Sequence, residues 1–231
     1  MTKVAIFGSE GRMGRLFTRE SSGKLEIVQT FDKGDSYKLN SSVEVVIDFS
    51  QASAWNDLDT LLSGTEAALV SGTTGTGVDE SSYLEKWSSE RPVFYSSNMS
   101  IGIYVLGNLM RIATDMLGDS FDHELVEFHH RNKKDSPSGT ALSLLENWPG
   151  RVVIGRNEDS GERESGTAGV HSVRGGDVAG EHHIYFLGDG ERLTISHTAT
   201  DRAVFVHGAI RAAEFIAGKP YGLYGMGDML E

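Results

Sequence analysis

The sequence has no cysteine, only 4 prolines and few positive charges. Without cysteine, the chain has no disulfide, no thiolate metal ligand and no thiol nucleophile. Its 21 Lys and Arg stand against 33 Asp and Glu, a formal charge of -12, which argues against nucleic acid as a partner. Its apolar runs are too short to cross a bilayer or to act as a signal segment. We therefore expect a cytoplasmic protein with no membrane partner.

The first hundred residues alternate between short apolar runs and stretches with helical spacing. Alternation of this kind predicts an α/β fold with a Rossmann-like, doubly wound parallel sheet. The connection between residues 31 and 43 is too short and polar for a full crossover helix. The predicted strands are 3–7, 26–31, 43–48, 67–71 and 93–95.

A longer helix is predicted over residues 103–117, the pattern changes after it, and an inserted domain is expected. We predict a dinucleotide-binding domain of residues 1–98 plus 203–231. Residues 99–202 would form an α+β domain for substrate binding and oligomerisation. The elements expected after residue 98 include a strand at 124–130, a short helix at 140–148, antiparallel sheet over 151–199 with a hairpin turn at 188–190, and a helix at 204–217.

Three glycines follow the first predicted strand, in the segment Gly8-Ser9-Glu10-Gly11-Arg12-Met13-Gly14. Between a strand and a helix, these glycines permit a tight turn and close approach of the backbone to a pyrophosphate on the helix N-terminus. The motif predicts a dinucleotide site, although a tight turn alone would use the same glycines. The carboxylate of Glu10 would repel phosphates, so we expect this side chain to face solvent.

Three further segments follow predicted strands, at the edge where open α/β sheets bind ligands. Asp32 either accepts the ribose hydroxyls of the adenosine half or is a solvated turn residue. Lys33 could offset a 2′-phosphate, so NADH and NADPH both remain open. Gly72-Thr73-Thr74-Gly75 and Ser96-Ser97-Asn98 are either cofactor loops or plain turns.

The densest chemistry is in Glu127-Phe128-His129-His130-Arg131-Asn132-Lys133-Lys134-Asp135-Ser136-Pro137-Ser138-Gly139-Thr140. Its cationic residues are followed by free N–H groups and a hydroxyl at a predicted helix start, which is typical of an anion site. We interpret the segment as a carboxylate clamp rather than a solvated basic loop. Histidine exchanges protons near neutral pH and Lys133 can donate one. No metal site is predicted, because adjacent histidines on a strand point to opposite faces and no other ligand spacing is evident.

Other polar residues of the second half carry weaker signals. Most of the remaining histidines on predicted strands are expected to be structural. The turn Arg174-Gly175-Gly176-Asp177 either helps to close the site or is a bulged turn. The histidines concerned are His171, His182, His183 and His197.

These motifs resemble the 4-hydroxy-tetrahydrodipicolinate reductase family, formerly called dihydrodipicolinate reductases. The most specific match is the His-His-x-x-Lys-x-Asp-x-Pro-Ser-Gly-Thr stretch of residues 129–140, and the likeness covers nearly the whole chain. It implies NAD(P)H-dependent reduction of 4-hydroxy-tetrahydrodipicolinate, a small dicarboxylate, to tetrahydrodipicolinate in lysine and diaminopimelate biosynthesis. It also implies a homotetramer joined through the sheets of the second domains.

The resemblance also implies residue roles. His129 would be the catalytic proton donor or acceptor and Lys133 the proton donor. The substrate carboxylates would be held by His130, Lys133, Gly139 and Thr140, to which Ser138 is added from its place at the helix start. The expected cofactor residues are Gly8, Ser9, Glu10, Gly11, Arg12, Met13, Asp32, Lys33, Gly72, Thr73, Thr74, Ser96, Ser97, Asn98 and Met99.

Departures from the family pattern and two alternatives remain. Glu10 replaces a small residue, Met99 stands where an aromatic is common, and the link between residues 31 and 43 is short. Another two-domain nicotinamide dehydrogenase, acting on an amino acid or inositol, would need its substrate Lys or His elsewhere. A redox sensor that binds the dinucleotide without turnover should carry a DNA-binding or partner segment, which this sequence does not show.

Overall fold

The computed structural model describes residues 1–74, 78–146 and 148–231. It divides into two compact units. Unit 1 comprises Met1–Ser100 and Ala203–Glu231, and unit 2 comprises Ile101–Arg202. Gly75, expected in a cofactor loop, lies outside the described residues. Within the described ranges, none of the helices combines the length and apolarity that crossing a membrane requires.

The strands and helices are named in chain order. The strands are β1 (Lys3–Phe7), β2 (Glu26–Phe31), β3 (Val45–Asp48), β4 (Ala68–Ser71), β5 (Pro92–Tyr95), β6 (Asp122–His129), β7 (Val152–Ile154), β8 (Ala168–Arg174), β9 (Gly180–Gly188), β10 (Glu191–Ala199) and β11 (Gly222–Tyr224). The helices are α1 (Arg12–Glu20), α2 (Trp55–Leu62), α3 (Glu80–Glu90), α4 (Ile101–Leu117), α5 (Gly139–Leu144), α6 (Ala203–Ile216) and α7 (Met226–Leu230).

Unit 1 contains a six-stranded parallel sheet with the order β11-β5-β4-β3-β1-β2. The doubly wound fold is therefore confirmed. Strands β3 and β4 are buried along their whole length, as expected when helices cover both faces of a parallel sheet. Because β2 and β3 lie on opposite sides of β1, the strand order reverses there, which is where such sheets bind ligands.

The segment after unit 2 returns to unit 1. Helix α6 packs against β3, β4 and β5, as the helical spacing predicted. Strand β11 pairs in parallel with β5, and Leu223 lies opposite Val93. The sequence did not predict β11, because a three-residue strand is too short to show a period. The described stretch between β2 and β3 contains no helix, as expected from its length and polarity.

Unit 2 is built on a five-stranded mixed sheet with the order β10-β9-β6-β8-β7. The expected antiparallel sheet is correct for β9 and β10, which form the predicted hairpin. It is wrong for β7 and β8, which pair in parallel, and β8 is also parallel to β6. The chain between β6 and β8 includes α5 and a long loop, so it has room for the crossover that parallel strands need. Helix α4 packs on this sheet, and Leu106 and Met110 contribute to its core.

Candidate active site and cofactor loop

The glycine loop after β1 requires glycine for steric reasons. Gly8 has φ +87, and a Cβ there would lie 2.9 Å from the carbonyl group of Phe49. A Cβ at Gly14 would lie 2.3 Å from the Gly8 carbonyl oxygen. Gly11 is the N-cap of α1 and provides no side-chain hydrogen bond to the first turn. The loop therefore lies tightly on the sheet edge and leaves the start of α1 without a side-chain cap, which suits a bound phosphate.

Two acidic residues border this loop. Glu10 is exposed, as expected, and pairs with Arg15 at 2.7 Å. Asp32 accepts hydrogen bonds from the Ser9 hydroxyl at 2.5 Å and from the Glu10 amide at 3.1 Å. Asp32 therefore stabilises the loop itself, and its expected contact with the ribose remains a prediction. Lys33 is exposed, and its expected contact with a 2′-phosphate also remains a prediction.

The loops after β4 and β5 meet at the same edge of the sheet. The Ser96 amide donates to the Ser71 carbonyl oxygen at 3.2 Å, and the Ser96 hydroxyl donates to the Asn98 carbonyl at 2.7 Å. Met99 is buried, with its side chain beside Gly72. The structure thus brings together two segments that the sequence assigned to the cofactor.

Asp48, at the end of β3, organises these loops and was missed by the sequence analysis. Its fully buried carboxylate accepts hydrogen bonds from the Ser71 hydroxyl at 2.7 Å and the Trp55 indole at 3.3 Å. Ser71 in turn accepts from the Thr73 amide. Among the residues that the structure describes, the buried Thr73 hydroxyl has no hydrogen-bond partner. Crowded glycines after β1 and an unused hydroxyl after β4, at the carboxyl ends of these strands, fit a pyridine nucleotide.

In unit 2, buried and more exposed side chains alternate along β6. Glu127 and His129, near the end of this strand, both lie on its buried face. The Glu127 carboxylate is fully buried, and its Oε2 lies 3.3 Å from His129 Nδ1. Its Oε1 accepts from the Ser138 amide at 2.9 Å, the Ser172 hydroxyl at 2.6 Å and Arg174 Nη2 at 2.8 Å. Burial raises the pKa of Glu127, but the favourable interactions with His129, Ser138, Ser172 and Arg174 outweigh it and hold the pKa well below its usual range.

His182, on β9, completes this cluster. Its Nε2 lies 3.8 Å from Glu127 Oε2, and its ring centroid lies 5.3 Å from that of His129. Burial and the neighbouring His129 lower the pKa of His182 to about 4, although Glu127 opposes the shift. His182 is therefore neutral at pH 7. The sequence analysis placed it among structural histidines, because its position opposite Glu127 depends on the register of β6 and β9.

Glu127, His129 and His182 each offer a potential metal-ligand atom, and these atoms lie within 4.8 Å of one another. The argument from sequence spacing did not anticipate this group, because its third member comes from another strand. The Arg174 guanidinium already provides a positive charge on the same carboxylate. That charge favours an ion-pair network over a cation site. The expectation of no metal remains a prediction.

Lys133 and the start of α5 lie in the loop after β6. Lys133 Nζ is 2.9 Å from Asp135 Oδ2. Burial raises the pKa of Asp135, but the hydrogen bond and charge of Lys133, with a contribution from the Gly139 amide, lower it overall. Ser138 is buried, and its hydroxyl accepts from the Ala141 amide at 3.1 Å as the cap of α5. Because the Ser138 amide is bound to Glu127, Ser138 builds the site, and its expected contact with substrate remains a prediction.

The remaining predicted residues have distinct places. His130 follows β6, and its carbonyl accepts from the Lys133 amide at 3.0 Å. His171 and His183 pair locally, with Glu124 and Glu181. Arg174 joins Glu127 to the loop before α5, since Nη2 also donates to the Asp135 carbonyl at 2.6 Å. Helix α5 ends at Leu144, earlier than the predicted end at residue 148.

Comparison with known proteins covers both units. The family models described as dihydrodipicolinate reductase, N-terminus, and dihydrodipicolinate reductase, C-terminus, match residues 2–99 and 102–230. The 4-hydroxy-tetrahydrodipicolinate reductase of Wolinella succinogenes is 39% identical over 255 residues, covering 100% of this chain and 99% of that protein. The enzyme of the same name from Clostridium tetani is 39% identical over 249 residues, covering 100% and 97%.

A solved structure supports the same fold. The dipicolinate-bound dihydrodipicolinate reductase from Paenisporosarcina sp. TG-14 has a TM-score of 0.75 at 22% identity, and the match covers 100% of both chains. The sequence matches extend through the glycine loop of unit 1 and the His129–Thr140 segment of unit 2. This chain belongs to the dihydrodipicolinate reductase family, whose similar members are named 4-hydroxy-tetrahydrodipicolinate reductases.

Proposed function

We propose that this chain reduces 4-hydroxy-tetrahydrodipicolinate to tetrahydrodipicolinate in lysine and diaminopimelate biosynthesis, with NADH or NADPH as cofactor. The observation that carries the proposal is the His129 imidazole held against a buried carboxylate, with Lys133 and the start of α5 in the segment that follows. The two relatives described above, which match this chain over its whole length, are named 4-hydroxy-tetrahydrodipicolinate reductases. One related structure holds dipicolinate, a ring dicarboxylate of the expected class.

The cofactor residues proposed for unit 1 are those of its three loops. When bound, the dinucleotide would supply the hydride that enters the substrate ring at C4, as the family resemblance implies, while the 4-hydroxyl group takes up a proton and leaves as water. The glycine loop would hold the pyrophosphate through backbone amides. Asp32 would accept the ribose hydroxyls of the adenosine half as well as hold that loop, and Lys33 beside it is the residue that would favour a 2′-phosphate. Residues 72–74 and 96–99 would also contact the cofactor, as the family resemblance implies.

The proton chemistry is assigned to His129. Its Nδ1 faces the Glu127 carboxylate, so its Nε2 is the atom left to exchange a proton with substrate. A Cβ at Gly180 would lie 3.2 Å from this Nε2. The absence of a side chain at Gly180 therefore leaves space at the reactive nitrogen.

The substrate carboxylates are assigned to Lys133, His130 and the backbone amides of Gly139 and Thr140. In the structure, the Asp135 carboxylate is bound to Lys133. A substrate carboxylate would take its place, and Lys133 would then neutralise charge and donate a proton. A positioned acid of this kind typically contributes about a hundred- to ten-thousandfold in rate.

The central experiment follows cofactor oxidation with the freshly prepared condensation product of pyruvate and aspartate semialdehyde. We expect turnover by the wild type and a loss of at least about a hundredfold in His129→Gln. His183→Gln is the matched control, because His183 lies next to His182 on β9 and pairs with Glu181 and Ser196. Its activity should stay within about twofold of wild type.

The outcomes separate the alternatives. Tight cofactor binding without turnover would favour a redox sensor, and turnover on an amino acid or inositol instead would favour another dehydrogenase. Equal activity of His129→Gln and wild type would remove His129 from its role. Running the assay with NADH and with NADPH determines the cofactor preference.

We also propose a cytoplasmic homotetramer joined through the sheets of unit 2. The sheet face opposite α4 exposes Val173 and Leu187, and a contact between these sheets would cover both side chains. Light scattering should give four times the chain mass of 25.1 kDa. A mass equal to one chain would contradict the proposed assembly.

A further inference from the structure

We propose that Glu127 is a positioning residue that fixes the proton of His129 on Nδ1 and thereby keeps Nε2 available to accept a proton. The inference deepens the proposed function, because it concerns how His129 would act in that reaction. It rests on the arrangement of one buried carboxylate between an imidazole on its own strand and three donors from other parts of unit 2.

The two oxygens of Glu127 have different surroundings. Oε1 accepts three hydrogen bonds, from the Ser138 amide, the Ser172 hydroxyl and the Arg174 guanidinium. These donors fix the rotation of the carboxylate and leave Oε2 directed at the imidazoles. Among the described residues, Oε2 has no hydrogen-bond partner. Of the two imidazoles that it faces, His129 Nδ1 lies nearer, at 3.3 Å, and His182 Nε2 lies at 3.8 Å.

The charge of the cluster decides which ring nitrogen carries the proton. The groups that face Glu127 are His129 on its own strand, Arg174 from β8 and His182 from β9, while the loop before α5 contributes uncharged Ser138. An ionised carboxylate oxygen only accepts hydrogen bonds. A bare Nδ1 lone pair against Oε2 would leave two buried acceptors in contact, which is costly. The Nδ1–H tautomer is therefore favoured, and Nε2 carries the lone pair.

The variant Glu127→Gln reverses this preference with little change of shape. Glutamine keeps a carbonyl oxygen, which the three donors hold at the Oε1 position, and places an NH2 group at the Oε2 position. That group donates toward Nδ1 and so favours the tautomer with the proton on Nε2. An Nε2 that already carries a proton is unable to accept one.

Nitrogen NMR of the protein labelled with ¹⁵N-histidine tests the tautomer directly. The signals of His129, one of 8 histidines in the chain, are identified by their loss in His129→Gln. We expect the pattern of protonated Nδ1 in the wild type and of protonated Nε2 in Glu127→Gln. The Ser172→Ala variant, which removes one donor to Oε1 and leaves Oε2 in place, should keep the wild-type pattern. Identical His129 signals in Glu127→Gln and wild type would overturn the proposal.

Kinetics provide a second, independent readout. We expect kcat of Glu127→Gln to fall by about ten- to a hundredfold with KM changed by less than about threefold. Added to His129→Gln, the Glu127→Gln change should have no further effect on kcat, because residues that act through one another are not additive. If the kcat losses of the two substitutions multiply in the double variant, Glu127 does not act through His129 and its role is merely structural. If the wild type does not turn over this substrate, the proposed function fails, and NMR alone decides the role of Glu127.

Discussion

The buried neutral His182 should make the stability of unit 2 fall as the solution becomes mildly acidic. In the unfolded chain, His182 takes up a proton as the pH falls through its ordinary value of 6.5, whereas in the folded chain its pKa is about 4. Between these values the unfolded state binds more protons than the folded state. Lowering the pH across this window therefore favours unfolding.

The size of the expected stability loss follows from the difference between the pKa values of His182 in the unfolded and folded chain. Each pKa unit corresponds to about 1.4 kcal/mol, so the full shift is worth about 3 kcal/mol. The part that falls between pH 7 and pH 5 is about 2 kcal/mol. Glu127 changes stability only at lower pH, since its lowered pKa makes its contribution disappear as the pH falls below the ordinary carboxyl range. His182 can thus be measured separately above pH 5.

The free energy of unfolding is measured in urea at pH 7 and pH 5 for wild type, His182→Gln and His183→Gln. Burial also lowers the pKa of His123 and His197, but they are present in all three proteins and cancel in the comparison. From pH 7 to pH 5, the wild type and His183→Gln should lose about 2 kcal/mol more stability than His182→Gln. Equal losses in all three proteins would refute the reasoning.

Three further predictions concern other parts of the molecule. Gly14→Ala places a Cβ 2.3 Å from the Gly8 carbonyl oxygen. Calorimetry should therefore show that this variant binds the cofactor at least about tenfold more weakly. The control Gly175→Ala, whose Cβ would meet nothing within 4 Å, should bind the cofactor as the wild type does. Trp87→Ala empties a fully buried site beside Trp55 and should reduce the free energy of unfolding in urea by about 3–5 kcal/mol. Asp135→Asn removes the carboxylate bound to Lys133, so the steady-state KM for substrate should fall roughly two- to fivefold; a higher KM would contradict the proposed displacement.

The fold of unit 1 was accessible from the sequence because its buried parallel strands are short apolar runs punctuated by glycine. Strands β1 to β5 were found within two residues of their observed bounds. In unit 2, the parallel pairing of β7 and β8 was missed, because the alternation of side chains along a strand is the same in parallel and antiparallel sheets. The direction of β8 depends instead on the path of residues 155–167, which lead from the end of β7 back to the start of β8.

The same contrast between local sequence patterns and long-range contacts applies to the candidate site. His129, Lys133 and Gly139 share one continuous segment, so a local motif was enough to propose them. Glu127 belongs to that segment too, but its importance depends on Arg174 and His182, which reach it from β8 and β9. Residue spacing along the chain carries no information about contacts of this kind, which arise from strand register.

The position of β11 at the edge of the unit 1 sheet affects how the chain folds during its translation. Residues 203–231 leave the ribosome only after the whole of unit 2 has been made, yet they supply α6 and the strand beside β5. Nascent β5 must therefore wait with one edge unpaired, and such edges attract other chains. Unit 2, which is continuous in sequence, is able to fold first, and the dinucleotide unit is completed last.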